Sequence, residues 1–173
     1  MDGAVIIREF TWDDYAGVGA LWQEAFGRFR PEDERDELAC TIARNPGLFL
    51  VAERAGAVVG TVVATWDGRR GYLYHVAVAA SVRRQSVGRQ MILAVADRLR
   101  ALGVQRIHLR VHGANAGAIA FYRTLGFEVD LPVIGMHLNW GSGVGDQGSG
   151  TNASATDPGP RTTDPSPAGK RES

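Results

Sequence analysis

The stretch "SVRRQSVGRQM", residues 81–91, brings three arginines, two serines and a glycine to the start of a helical pattern. A helix beginning there leaves its first backbone N–H groups without intrahelical partners. Its dipole turns a positive end the same way, so an anion can settle at the loop. Arg83, Arg84 and Arg89 add charge suited to phosphate, and Gly88 lets a ligand come close to the backbone. Ser86 stands where such a loop would ordinarily carry its first glycine. Its N–H serves as well as glycine's and its hydroxyl adds a donor, so serine is costly only where φ must be positive. The first turn of a helix demands near-helical φ, and Ser86 is therefore expected to keep the site, with affinity the property it affects. Taken alone, the loop equally fits a basic cap on a helix, because it lacks the Gly-Lys-Ser/Thr ending of a nucleotide P-loop.

A second group follows in "NAGAIAFYRTLGF". Asn115 and Tyr122 are seven positions apart, two helical turns, which puts them on one helix face with Ala118 between them. The small alanine leaves room beside both.

These groups must be held by a fold, and the periodicities say which. "AVIIREF" reads as an opening strand. Thr11 or Asp13 can cap a helix with apolar positions Val18, Leu21, Trp22, Ala25 and Phe26, which Gly27 ends. "RPEDERDELACTIARN" has Pro31 and acids at its start and Arg44 near its end, the order a helix dipole favours, and predicts a second helix. The next run, "LFLVAERAGAVVGTVVATWDGRRGYLYHVAVAA", holds three β-rich segments separated by turn signals at Ala55-Gly56 and Asp67-Gly68, an antiparallel meander. Val87, Met91, Val95 and Leu99, with Ile92 and Leu102 beside them, mark a long amphipathic helix closed by Gly103. "VQRIHLRVH" reads as a strand. Asn115 caps a further helix that Gly126 terminates, and "FEVD" with "VIGMHLNW" complete the sheet. The expectation is an α/β fold: a mixed, mostly antiparallel sheet with helices on both faces, whose fourth and fifth strands are parallel and joined by a helical crossover.

Composition narrows the function classes. The chain has 173 residues, enough for one domain with a sizeable core, and 19 basic residues balance 19 acidic ones. A general electrostatic grip on nucleic acid or an anionic membrane is not supported, so local patches must carry any anion binding. The apolar and charged fractions, 45% and 22%, are those of a soluble globular protein. The start "MDGAVIIREF" lacks the basic and apolar segments of a signal peptide, which argues for the cytoplasm. Cys40, between Leu38 and Ile42, reads as a small buried apolar residue. From Gly141 the sequence has no aromatic residue and one isolated valine. Residues 141–173 are expected to be a disordered tail, and residues 3–140 the folded domain.

Taken together, "RRQSVGRQ" and the later "NxxAxxFYxxxGF" resemble the coenzyme A site of the GNAT family of N-acetyltransferases, and the stretches "LFLVAE", "VVGTVVATWDGRRG" and "FYRTLGF" look closest to its small bacterial members. The resemblance spans the domain from the opening strand to "MHLNW". It implies that strand four splays from strand five and that acetyl-CoA lies in the wedge. Backbone groups of Val76 and Val78 would bind pantetheine and polarise the thioester carbonyl. Arg83, and the backbone from Arg84 through Gln85, Ser86, Val87 and Gly88 to Arg89, would take the pyrophosphate, and Asn115 would contact the pantetheine arm. Tyr122 would protonate the leaving thiolate as an amine attacks. A phenol with a reference pKa of ~10 keeps its proton at neutral pH, so the residue type suits that role. No metal ion is implied.

Family members often use a strand carboxylate as general base, and this chain departs from that pattern. The positions are Tyr72, Tyr74 and His75 on strand four, and Arg110 on strand five; His112 lies nearby, and water relayed by backbone groups is a further alternative. The acceptor end is expected between the first two helices and the hairpin of strands three and four. Arg28, Arg30, Arg69 and Arg70 stand there among Glu32, Asp33, Glu34, Trp66 and Tyr72. This mixed charge fixes no substrate. The resemblance implies transfer of acetyl from acetyl-CoA to a primary amine of a small molecule or peptide. Against it stands a non-catalytic acyl-CoA sensor or interaction module on the same fold. Pairing of edge strands between chains is compatible with a homodimer.

Overall fold

The computed structural model describes residues 3–28 and 30–130. The described elements lie in a unit spanning Met1–Val129; a second unit starts at Asp130. Strand β1 (Ile6–Glu9) leads through a short 3-10 turn into α1 (Tyr15–Phe26), and a second such turn, Pro31–Asp33, precedes α2 (Arg35–Arg44). The meander follows as β2 (Phe49–Arg54), β3 (Ala57–Trp66) and β4 (Gly71–Val78). Then come α3 (Val87–Ala101), β5 (Ile107–Leu109) and α4 (Ala116–Thr124). The sheet order is β1-β2-β3-β4-β5. Neighbours are antiparallel except β4 and β5, which are parallel, as a helical crossover requires.

Strand alternation divides the core between two sheet faces. Leu50, Ala52, Val62, Ala64 and Leu73 face α3, whose Met91, Ile92, Val95 and Leu99 form its buried stripe. Phe49, Val51, Val63 and Ala77 face the other way, against Val18, Leu21 and Trp22 of α1 and Leu38 of α2. Helix α1 ends where expected, with Gly27 in the left-handed region at φ 70°. Helix α4 follows its signals too: the Asn115 side chain accepts the Ala118 N–H at 3.0 Å, and Gly126 has φ 87°.

Four expectations fail locally. The second helix does not run from Pro31; Glu34 at ψ 152° interrupts it, because Asp33 is drawn into the interior and the chain must leave helical geometry to deliver it. Cys40 is exposed, since the inward face of α2 passes through Leu38 and position 40 is turned about 200° from it. Leu102 is 44% exposed, lying past the last residue of α3. Finally, "FEVD" joins no described strand, and its expected partner "VIGMHLNW" lies outside the described residues, as does the expected tail boundary at Gly141. No helix among the described residues is long and apolar enough to cross a membrane.

Candidate active site

The parallel pairing of β4 with β5 covers only Gly71, Tyr72 and Leu73, which face Ile107, His108 and Leu109. From Tyr74 to Val78 the outer edge of β4 has no strand beside it among the described residues, and a wedge opens there. Which backbone groups face the wedge follows from the ladder. Ala79 N–H bonds Val59 O at 2.9 Å on β3, and alternation turns the polar groups of Val78 the other way. The Val78 carbonyl confirms that direction by accepting the Arg83 Nε–H at 3.1 Å. Val76 and Val78 both lie on this stretch of β4.

The arginine-rich loop is tied down by its own side chains. Arg83 reaches back to Val78; Gln85 donates to Ser81 O at 3.1 Å and accepts from Arg54 at 2.6 Å. Arg83 and Gln85 thus shape the loop, while Arg84 and Arg89 extend into solvent. Val87 is 3% exposed and contributes its backbone only, its side chain belonging to the core. The first backbone bond of α3 runs from Gln90 N–H to Ser86 O at 3.0 Å, so the N–H groups of Val87, Gly88 and Arg89 precede the helical ladder and point outwards as donors.

Ser86 departs from the expectation. It sits at φ 64°, ψ 6°, in the left-handed region, just outside the helix rather than in its first turn, and its hydroxyl makes no capping bond. Arg84 is also left-handed, at φ 61°. With Arg83 pinned to β4 and the Ser86 carbonyl committed to Gln90, the intervening chain reverses through positive φ. Each such non-glycine residue costs about 1 kcal/mol. The loop thus carries a strain at Ser86 that its sequence did not announce.

Gly88 has a different role from simple openness. A Cβ on it would stand 3.4 Å from both Phe121 Cζ of α4 and Val78 Cγ2 of β4. Its bare Cα therefore lets the start of α3 pack closely against both. Helix α4 carries Asn115 and Tyr122. The Asn115 Oδ1 is occupied by the helix cap, which leaves the amide NH₂ as its available donor. Tyr122 is half-buried, packed between Phe121 and Phe127 with ring centroids at 5.2 and 5.6 Å. Burial pushes its hydroxyl up to about 12, so it keeps its proton at neutral pH.

The other side of β4 holds a group that sequence reasoning only half identified. A register irregularity between Thr61 and Val63 gives β4 an extra residue, and His75 takes it up at φ 47°. The imidazole turns towards α1, tilted over Trp22 at 4.1 Å with Phe26 edge-on at 5.7 Å. Its Nε2 lies 2.8 Å from Asp33 Oδ1, and Asp33 is 2% exposed. The other Asp33 oxygen accepts the Arg30 N–H at 3.0 Å. The backbone at His75 is fixed as well: Trp22 Nε1–H donates to Thr61 Oγ1 at 2.9 Å, and that hydroxyl donates to His75 O at 2.8 Å. Burial holds the imidazole below its ordinary 6.5, with Asp33 acting in the opposite direction.

The remaining candidates separate from this cluster. His112 is exposed and its Nδ1 accepts the Ala114 N–H at 3.2 Å, a turn contact ahead of α4. Tyr72 stacks between Tyr74 and His108, at 6.4 and 5.4 Å. Arg110 is exposed just past β5. Arg69 and Arg70 line a separate depression with Gln105 and Arg106, near the starts of β4 and β5. Asp33, by contrast, looked like one more solvated acid in "RPEDERDE", and nothing in that local pattern marks it as the one that turns inward.

Comparison with known proteins places this arrangement. Residues 12–127 match the acetyltransferase (GNAT) family model. An acetyltransferase of Sodalis glossinidius is 34% identical over 129 residues, covering 74% of this chain and 90% of the relative. One of Pectobacterium atrosepticum is 34% identical over 134 residues, covering 76% and 94%. Among solved structures, Ard1 from Thermoplasma volcanium superposes with a TM-score of 0.67 at 26% identity, over 73% of this chain and 84% of that one. The PaiA N-acetyltransferase from Thermoplasma acidophilum, solved in complex with coenzyme A, shares the fold with a TM-score of 0.64 at 18% identity, over 73% and 91%.

Proposed function

The chain belongs to the acetyltransferase (GNAT) family and is an acetyltransferase, and from that premise we propose that it carries acetyl from acetyl-CoA to a primary amine of a small molecule or peptide, by direct attack within a ternary complex. The observation that supports the reading most is the coincidence of two openings. Strand β4 loses its partner after Leu73, and the unpaired N–H groups of α3 begin beside Val78, the far end of that free edge. A long ligand with an anionic end and an amide-bearing arm fits both.

In this reading the N–H groups of Val87, Gly88 and Arg89 receive the pyrophosphate, with Arg84 and Arg89 adding charge. Gly88 lets the start of α3 pack closely against Val78 and Phe121 and keeps a side chain away from the phosphates. The Val76 and Val78 backbone holds the arm and polarises the thioester carbonyl, and the Asn115 amide donates to it from α4. Tyr122 supplies a proton to the departing sulfur. A hydroxyl at about 12 would give its proton reluctantly to a thiolate in water. The desolvation that raises the phenol also raises a thiol leaving into the same wedge, which brings donor and acceptor closer to a match.

Calorimetry with acetyl-CoA together with thiol release over a panel of primary amines, small molecules and peptides, tests this. One acetyl-CoA bound per chain and thiol release that depends on one class of amine are expected. Binding with no release from any amine would remove the amine acceptor and leave an acyl-CoA-binding module.

A further inference from the structure

We propose that His75 is the general base that deprotonates the acceptor amine, and that Asp33 is the positioning residue that sets its tautomer and orientation. The inference rests on the acetyl-transfer reading above. Three observations carry it. The extra residue in β4 gives His75 a left-handed φ of 47°, a conformation a non-glycine residue adopts at a cost, and it swings the imidazole onto the face of α1 and α2. The neighbouring residue is Val76, on the stretch of β4 beyond its pairing with β5, where the thioester carbonyl would be held in that reading. Asp33 Oδ1, buried and with no hydrogen-bond partner other than the Nε2 contact at 2.8 Å, aims at one ring nitrogen.

That geometry assigns the tautomer. With Nε2–H directed at Asp33, Nδ1 carries the lone pair. Trp22 and Phe26 hold the ring plane from α1, while the imidazole keeps 18% of its surface exposed and remains open to a ligand. The charged groups around it are Asp33, Arg30 and Glu32, all from the turn ahead of α2; Arg30 disfavours the imidazolium, and Asp33 and Glu32 favour it. Tyr15 of α1 donates to the Asp33 carbonyl at 3.3 Å and ties this turn to the helix. Because burial outweighs the carboxylates, the ring is neutral near pH 7, as a base must be.

The protons balance. An acceptor arriving as R–NH₃⁺ gives one proton to His75 Nδ1, and the freed lone pair forms the N–C bond to the acetyl carbonyl carbon. The carbon–sulfur bond breaks, sulfur takes a proton from Tyr122, and the nitrogen loses its second proton, which restores the tyrosine through solvent. His75 returns its proton to water. The products are the N-acetyl amine, the thiol and one H⁺.

The experiment compares the parent, His75→Gln and Asp33→Asn in three measurements: calorimetry with acetyl-CoA, turnover against pH at saturating substrates, and NMR titration of the histidine rings. Expected are unchanged acetyl-CoA binding in all three proteins and a turnover loss of ~10²-fold or more in His75→Gln. The parent should show an acid limb below pH 6.5 that is absent in His75→Gln. Asp33→Asn should lose at least tenfold in turnover and move both the limb and the His75 titration to lower pH, since a carboxylate that favours the imidazolium is gone. A solely structural His75 would leave the limb in place. A folded His75→Gln within threefold of the parent overturns the assignment. If His75→Gln fails to fold, an unmoved acid limb in Asp33→Asn overturns it equally. Loss of acetyl-CoA binding by the parent itself would instead overturn the acetyl-CoA reading.

Discussion

The two sides of β4 are built from different materials. On its open edge, towards α3 and α4, most of the chemistry belongs to backbone: the outward groups of Val78, and the N–H groups that begin α3. On its α1 face it belongs to side chains brought from far along the chain, Trp22, Asp33 and Thr61 around His75. A backbone site needs only the right turn and space, which glycine, a helix start and a short motif announce locally. A side-chain site needs a particular partner at a particular distance, which no local pattern announces. A backbone site can persist through changes in side chains, whereas a side-chain site can be rebuilt residue by residue.

Substitutions on each side should break different quantities. The largest effect is expected from Tyr122→Phe, which removes one hydroxyl and keeps the ring packed between Phe121 and Phe127. Turnover should fall ~10²-fold, about 2.7 kcal/mol of transition-state stabilisation, with acetyl-CoA affinity unchanged. Steady-state rates at saturating acetyl-CoA check it, and a rate within threefold of the parent would take Tyr122 out of the mechanism. Between about pH 7 and 10 its rate should show no alkaline limb from this phenol, because the folded protein holds it protonated to about 12.

A smaller effect concerns stability on the acceptor side. The native His75 imidazole titrates below its ordinary 6.5, so below that pH the unfolded chain binds more protons than the folded one. Stability is therefore fully present above about 6.5 and lost as pH falls through the folded value. Thermal unfolding of the parent between pH 7 and 5 should show the decline, and His75→Gln should flatten it. The smallest effect is expected at Ser86→Gly on the donor side. Releasing the left-handed strain gains about 1 kcal/mol, and the greater freedom of glycine in the unfolded chain takes back about half, for a rise in Tm of roughly 1–2 °C. A fall in Tm would mean that the serine side chain contributes something other than strain.

Much of this fold was legible in the sequence because its elements carry their own signals. The stripe Val87, Met91, Val95, Leu99 gave α3, the Asn115 cap and Gly126 gave α4, and two turn signals gave the meander. What was not legible depended on contacts between distant segments. The break at Glu34 follows from burying Asp33 against His75, forty-two positions later, and the positive φ of Ser86 from pinning Arg83 to Val78. Of the proposed donor side, the sequence marked the loop and the helix start but not the positive φ of Ser86. On the acceptor side, His75 was one of several alternatives for the base, and Asp33 stood among the mixed charges of that end with nothing to single it out.

The central claim is that acetyl-CoA binds with its phosphates at the N–H groups of Val87, Gly88 and Arg89, where α3 begins. Calorimetric titration of acetyl-CoA into the parent, Gly88→Ala and Gly88→Glu tests it most directly. A single added Cβ meets its neighbours at 3.4 Å, so Gly88→Ala should fold and lose no more than ~10-fold in affinity. Gly88→Glu places a longer, negative side chain against the phosphates. It should lose at least ~10²-fold, about 2.7 kcal/mol, while its thermal unfolding remains a single cooperative transition. A folded Gly88→Glu that binds acetyl-CoA as tightly as the parent would contradict the account and put the acyl donor elsewhere.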